Sequence, residues 1–220
     1  MAEEYYHNIH KVLSNTHITE STFILRIERN GLEYTPGQHL VLGRKDEGEF
    51  RQYSLYSSKD DPFFEILVKE VEDGEVSPKL KKLVAGDEVE INGPMGYFTI
   101  SDARRKAHPI VMISTGTGIA PFKSFIASYN DMNYELIHGV RTIDEAYERD
   151  FYSKNKLTVC TSRDEKGDFK GRVTDYLKTQ AFDKDTLFYL CGNSEMIFDA
   201  MELLKEQGMN SNNMFAEVYF

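Results

Sequence analysis

The sequence predicts a fold of class β + α/β: an antiparallel β-barrel over residues 1–102, then a parallel α/β domain over residues 103–220. Three observations predict it. Short apolar stretches of period two, closed by Gly/Pro turn signals, fill the first hundred residues. Apolar runs then alternate with segments of helical spacing, the order of a parallel sheet with crossover helices. The polar stretch Ser101-Asp102-Ala103-Arg104-Arg105-Lys106 lies between them and reads as a linker.

The elements follow in order. Residues 22–28 put Phe23, Leu25 and Ile27 on one face of a strand. Pro36-Gly37 marks a turn before the apolar Leu40-Val41-Leu42. Residues 64–71 read as a strand broken by Asp73-Gly74. Ser77 and Pro78 suit the cap and first position of a short helix. Residues 89–91 read as a strand closed by Gly93-Pro94-Met95-Gly96. In the second part, residues 109–114, 134–139, 157–161 and 186–191 read as strands. Helical spacing links Ile119, Phe122, Ile126 and Tyr129, and helices are expected over 172–179 and 194–206. Asn193 suits the start of the last one, and Gly208 lies just past its end.

The chain has 220 residues, two cysteines and a net charge of −10. Nucleic-acid binding, which needs a basic field, is not expected. The longest apolar run, residues 110–113, is far too short to span a membrane. The N-terminus lacks the pattern of a secretory signal, so a cytoplasmic location is expected. Two cysteines supply neither a disulfide framework nor a four-thiolate cluster, and the six histidines form no ligand pattern, so no metal is expected. Arg104-Arg105-Lys106 and Lys79, Lys81 and Lys82 are the basic clusters that could dock an acidic partner; both also read as ordinary solvated surface.

Chemistry concentrates in a few ordered motifs. Arg51-Gln52-Tyr53-Ser54 combines a phosphate-binding cation, a ring that can stack and a hydroxyl donor, a set that suits a flavin. Thr115-Gly116-Thr117-Gly118 lies between a strand and a helix, where glycines let a diphosphate approach the backbone; a plain tight turn explains it equally well. Cys191-Gly192-Asn193 ends the last strand, and Cys191 is either a small buried hydrophobe or a reactive-site residue. Arg163 and Arg172 could fork onto a phosphate monoester or be surface arginines.

Taken together, these residues resemble the ferredoxin/flavodoxin–NADP(+) reductases of the short bacterial kind, over nearly the whole length. The resemblance implies an FAD-binding barrel and an NADP(H)-binding α/β domain, with FAD in the cleft between them. It implies that Arg51 meets the FAD diphosphate, Tyr53 stacks on the flavin and Ser54 reaches its N5, with Gln52 in the same motif. Gly74-Glu75-Val76-Ser77 is similar to a second diphosphate loop, and Leu67 lies where backbone follows the ribityl chain. Thr117, Tyr219 and Phe220 join the FAD set, the last two through the aromatic ending Glu217-Val218-Tyr219-Phe220. Bacterial members often end in Trp, and this chain has none. For NADP(H), the resemblance implies Thr115, Gly116 and Gly118 at the diphosphate and Arg141, Ser162, Arg163 and Arg172 at the 2′-phosphate. Cys191, Gly192, Asn193 and Met196 would stand at the nicotinamide. Ser54, Cys191, Glu217 and Tyr219 form the implied catalytic set. The implied activity is hydride transfer between NADP(H) and FAD and single-electron exchange with ferredoxin or flavodoxin, in a monomer. Two other readings stay open: a reductase component of an oxygenase, or diaphorase-like reductase of small acceptors; and a non-catalytic flavin-binding module.

Overall fold

The computed structural model describes residues 8–219, so the expectation for Phe220 falls outside the described residues. The chain divides into two compact units. The first runs to Thr99 and also takes in Lys123–Ser128; the second comprises Ile100–Phe122 and Tyr129–Phe220.

The first unit is an antiparallel sheet of six strands: β1 (Asn8–His17), β2 (Thr22–Glu28), β3 (His39–Arg44), β4 (Arg51–Ser54), β5 (Phe63–Lys69) and β6 (Glu88–Met95), in the order β4-β3-β6-β1-β2-β5. The two edges meet. Leu55, just after β4, bridges Ile66 on β5, and Tyr56 N–H donates to Glu65 O at 2.8 Å. This closure makes the sheet a barrel and removes its free edges. The period-two face of β2 lies inside: Phe23, Leu25 and Ile27 are fully buried against Leu40, Leu42, Phe64, Ile66, Val89 and Ile91. Each such side chain withdrawn from water stabilises the fold by about 1.5–3 kcal/mol.

Three local expectations up to residue 107 need correction. β6 does not stop before Gly93-Pro94; it runs through them to Met95 and pairs His39 with Met95. The helix α1 (Ser77–Lys81) starts as expected with Pro78 in its first turn, but Val76 is the cap residue. The Ser77 hydroxyl instead accepts the Val71 N–H at 2.9 Å and closes the 71–77 loop. Ser101–Lys106 is not a linker: Ser101 caps a helix α2 (Asp102–Ala107), its Oγ accepting the Arg104 N–H.

The second unit is a parallel sheet of β7 (Ile110–Thr115), β8 (Tyr134–Val140), β9 (Leu157–Thr161), β10 (Phe169–Lys170), β11 (Leu187–Asn193) and β12 (Met214–Tyr219), in the order β10-β9-β8-β7-β11-β12. β7 and β11 are buried almost throughout, as continuous apolar runs between helical layers are. The helices are α3 (Ala120–Ser128), α4 (Val173–Leu177) and α5 (Ser194–Glu206). Asn193 caps α5, its Oδ1 accepting the Met196 N–H at 3.2 Å. Ile197, Ala200 and Leu204 on α5 pack on Phe188 and Leu190 of β11. Four strands had no sequence-based expectation: β1, β4 and the two edge strands of the parallel sheet, β10 and β12. From β7 the chain runs outward through β8 and β9, then returns to lay β11 on the other side of β7. The strand order therefore reverses between β7 and β11, and in open α/β sheets ligands bind outside the carboxyl ends at such a point. Among the described residues, no helix is long and apolar enough to cross a membrane.

Candidate functional site

In the first unit the candidate residues lie on β4, on β5 and in the 71–77 loop. Pairing of β4 with β3 sets Tyr53 beside Leu40 and Ser54 beside His39. Ser54 is buried, Tyr53 is half-buried against the barrel core, and Arg51 and Gln52 are exposed. Burial pushes the Tyr53 phenol well above its ordinary range, with the nearby Arg51 opposing, so the ring stays neutral. Arg51 donates to the Phe50 carbonyl at 2.7 Å and stands 3.9 Å from Glu49, which leaves its guanidinium on the surface. Leu67 is buried opposite Ile24. In the loop, a Cβ on Gly74 would stand 2.9 Å from the Val71 carbonyl oxygen, so glycine is required for the tight return. Glu75 is exposed, while Val76 and Ser77 are buried.

In the second unit the residues gather at the carboxyl ends of the strands. Thr115 ends β7, and Gly116 turns the chain at φ +54 into a 3-10 turn (Gly116–Ile119) that leads into α3. A Cβ on Gly116 would meet nothing within 4 Å, so that face of the turn is open. Gly118 is the reverse: a Cβ there would come within 2.4 Å of the Cys191 carbonyl oxygen, so the turn lies directly on the end of β11. Thr117 is half-buried. Cys191 is fully buried, and burial pushes its thiol far up. The Glu217 carboxylate pushes the same way, against the Tyr219 hydroxyl and the Gly192 N–H. The thiol is therefore protonated and no nucleophile. β12 pairs in register with β11, which sets Glu217 beside Cys191 and Tyr219 beside Asn193. Met196 is half-buried in the first turn of α5.

Three arginines follow the carboxyl ends of the neighbouring strands β8, β9 and β10. Arg163 N–H donates to the Arg141 carbonyl at 2.8 Å, and Ser162 N–H donates to the Val140 carbonyl at 3.1 Å. β10 pairs Lys170 with Thr161, which brings Arg172 to the next strand end. Arg141, Ser162, Arg163 and Arg172 are all exposed. The nearby carboxylates accept backbone N–H groups: Glu145 that of Arg141 at 3.0 Å, Asp164 that of Ile143 at 2.8 Å and Asp175 that of Arg172 at 3.3 Å. The Ile143 and Lys166 N–H groups hold Asp164 below the usual carboxylate range. Among the described residues, no carboxylate pairs with the three guanidinium groups, whereas Arg26, Arg44, Arg105 and Arg149 each hold one.

The other basic clusters are paired in part. Arg105 is buried between Asp102 and Asp131, at 2.8 and 2.7 Å, and Arg104 lies over the Phe215 ring. Lys79 pairs with Glu47 at 2.6 Å and Lys81 with Glu70 at 2.5 Å.

One buried polar pair had no sequence-based expectation. Ser114 and His138 face each other across β7 and β8, Oγ to Nδ1 at 2.8 Å. Burial lowers the His138 pKa from 6.5 to about 4, against the opposing pull of Glu145, so the ring is neutral at pH 7. The signal available in sequence, a histidine inside an otherwise apolar strand, does not identify its partner.

Comparison with known proteins accords with this arrangement. A family model described as an oxidoreductase FAD-binding domain matches residues 8–100, and an oxidoreductase NAD-binding domain matches residues 112–202. The flavodoxin/ferredoxin–NADP reductase of Escherichia coli (strain K12) is 30% identical over 213 residues, covering 86% of each chain. The toluate 1,2-dioxygenase electron transfer component of Pseudomonas putida is 27% identical over 92% of this chain, which spans only 64% of that relative. A ferredoxin NADP+ reductase from Neisseria gonorrhoeae with bound FAD and NADP has the same fold, with a TM-score of 0.86 at 24% identity over 96% of this chain and 98% of that one. With a barrel that matches the flavin half, a switch-point sheet that matches the nucleotide half, and a relative 30% identical over 86% of each chain, the chain belongs to the ferredoxin–NADP reductase family of FAD- and NAD(P)-binding oxidoreductases.

Proposed function

We propose that this protein oxidises NADPH through FAD and passes single electrons to a ferredoxin or flavodoxin. The observation that carries NADPH rather than NADH is the group of three exposed arginines at neighbouring strand ends, none paired with a carboxylate among the described residues. Unpaired guanidinium groups that converge on one edge suit a dianionic phosphate monoester, which they can grip through forked hydrogen bonds. FAD, when bound, supplies hydride acceptance from the nicotinamide and one-electron release to the partner.

The residues fit these groups. The open face of Gly116 leaves room for a diphosphate against the backbone, and the start of α3 favours its charge. The tight return at Gly74 suits a second diphosphate, with Glu75, Val76 and Ser77 lining that loop. Arg51 offers a surface cation to the flavin phosphates, Tyr53 a neutral ring and Ser54 a hydroxyl, beside Gln52 and Leu67. At the nicotinamide, Cys191 presents an un-ionised thiol that gives shape without charge, between Gly192 and the α5 residue Met196. Glu217, its register neighbour, is the group proposed to hold or move a proton. Tyr219 sits beside Asn193, so its ring must yield when a nicotinamide settles on that turn.

The reading is tested by mixing the flavin-loaded protein with NADPH in a stopped-flow instrument, then with ferredoxins and flavodoxins. Rapid bleaching of the flavin followed by reoxidation by either carrier is expected. Reduction by NADPH with electrons accepted only by an oxygenase component would favour the second reading, to which the Pseudomonas putida relative points. No reduction by NADPH would remove the first reading, and no reduction by either NADPH or NADH would remove both.

A further inference from the structure

Thr115 stands between two glycines, and both branches of its side chain are used. On one side its Oγ1 accepts the Asn193 N–H at 3.1 Å. A Cβ on Gly192, which has φ +130, would lie 2.5 Å from that oxygen and 2.8 Å from the Thr115 carbonyl. On the other side β8 sets Gly139 opposite Thr115, and a Cβ there would stand 3.1 Å from the Thr115 methyl group. The side chain thus fills the space that two missing side chains leave at the ends of three adjacent strands, β8, β7 and β11.

We propose that Thr115 is a positioning residue for the nicotinamide turn: its hydroxyl fixes the Cys191-Gly192-Asn193 backbone in register with the diphosphate turn. This rests on the NADPH reading above. The hydroxyl already accepts an N–H of the chain itself, so this contribution is made before any ligand arrives. The Asn193 N–H it holds belongs to the residue whose side chain also caps α5. Losing the bond therefore loosens both the turn and the way α5 starts. The adenylate end of the ligand binds at Arg141, Arg163 and Arg172 on other strand ends, and does not sense this link.

The chemistry separates two isosteres. Thr115→Val keeps the methyl on Gly139 and removes the acceptor; Thr115→Ser keeps the acceptor and removes the methyl. The expected result for Thr115→Val is 2′-phospho-AMP affinity within about twofold of wild type, since those contacts are untouched. NADP(+) affinity and the rate of flavin reduction by NADPH fall about 10- to 100-fold, the scale on which small misplacements act. Thr115→Ser recovers most of both. Exchange of the Asn193 amide hydrogen, followed by NMR, quickens in Thr115→Val and returns toward wild type in Thr115→Ser. Flavin content and melting curves check that each variant is folded. Equal loss of 2′-phospho-AMP and NADP(+) would overturn the proposal, because the hydroxyl would then be a phosphate contact. So would wild-type reduction by Thr115→Val, or unchanged amide exchange. If wild type itself is not reduced by NADPH, the functional reading fails, and the amide exchange still decides this inference.

Discussion

His138 is held neutral inside the sheet by burial, with Ser114 as its partner, and this has a consequence for stability. The folded ring takes up a proton only near pH 4, the unfolded ring near 6.5. Between those values the unfolded chain holds more protons. Stability is therefore complete above about pH 6.5 and falls as pH drops toward 4, by about 3 kcal/mol if the whole shift is expressed. Melting curves recorded from pH 7 to pH 5 are expected to show a smaller decline for His138→Gln than for wild type; parallel curves would show that another group sets the slope. The arginines give a second prediction at this scale. Each charge-assisted hydrogen bond is worth about 1.5–3 kcal/mol, or about tenfold or more in affinity. Arg163→Ala with Arg172→Ala is expected to raise the KM for NADPH about 100-fold or more and to leave that for NADH nearly unchanged. An equal rise for both coenzymes would mean that these side chains do not read the 2′-phosphate.

At the scale of the element, β2 gives the plainest energetic prediction. Leu25 is fully buried in the middle of the barrel core. Leu25→Ala removes its packing and leaves a cavity, at an expected cost of about 2–5 kcal/mol. Urea titration monitored by circular dichroism measures this, and a shift of the midpoint without a change of slope is expected. β2 was legible in the sequence because its apolar residues alternate, and β9 because its run is short and bounded. α5 was legible from its cap residue and spacing, and Asn193 does make the capping bond. β12 was not legible: Met214, Ala216 and Val218 alternate with Phe215, Glu217 and Tyr219, so apolar side chains fall on both faces with no polar alternation, and the strand exists because β11 offers it a ladder. α2 was missed because its residues are polar. Its stability comes from the Ser101 cap, the Arg105 pairs and the Arg104–Phe215 contact, none of which leaves an apolar stripe. Ser77 misled as a cap because the same hydroxyl serves a loop N–H six residues back. The motif residues themselves could be read in sequence. What could not be read was which neighbours the fold gives them, such as Thr115 bound to Asn193 or the nearby carboxylates taken up by backbone N–H groups.

At the scale of the whole molecule, a net charge of −10 sets a general field that disfavours anionic ligands, so local structure must overcome it. Lys79, Lys81 and Arg105 hold carboxylates and contribute little, whereas Arg141, Arg163 and Arg172 hold none among the described residues and form the group proposed to attract a nucleotide. A ligand that binds only the folded chain stabilises it by mass action, by about 2.7 kcal/mol at 100 times its Kd. Addition of 2′-phospho-AMP is therefore expected to raise the melting temperature of wild type and not that of the double arginine variant. Calorimetry at several ligand concentrations checks this, and the same rise in both proteins would place the ligand elsewhere.

The end of α3 bears on how reductases of this kind can be recombined. Lys123–Ser128 count with the barrel, although they follow the nucleotide turn in sequence. Phe125 covers Gly37, where a Cβ would meet its ring at 2.7 Å, and it packs near Phe98 with ring centres 6.1 Å apart. Lys123 lies 3.9 Å over Tyr56, and Ser128 accepts the Lys59 N–H at 2.9 Å. The barrel is thus discontinuous along the gene. A chimaera spliced at residue 102 inherits one parent's barrel and the other parent's cover for it. Exchanges that carry residues 123–128 with the barrel should keep the parental melting temperature, and those that split them should lose it, even when every strand of both sheets is preserved.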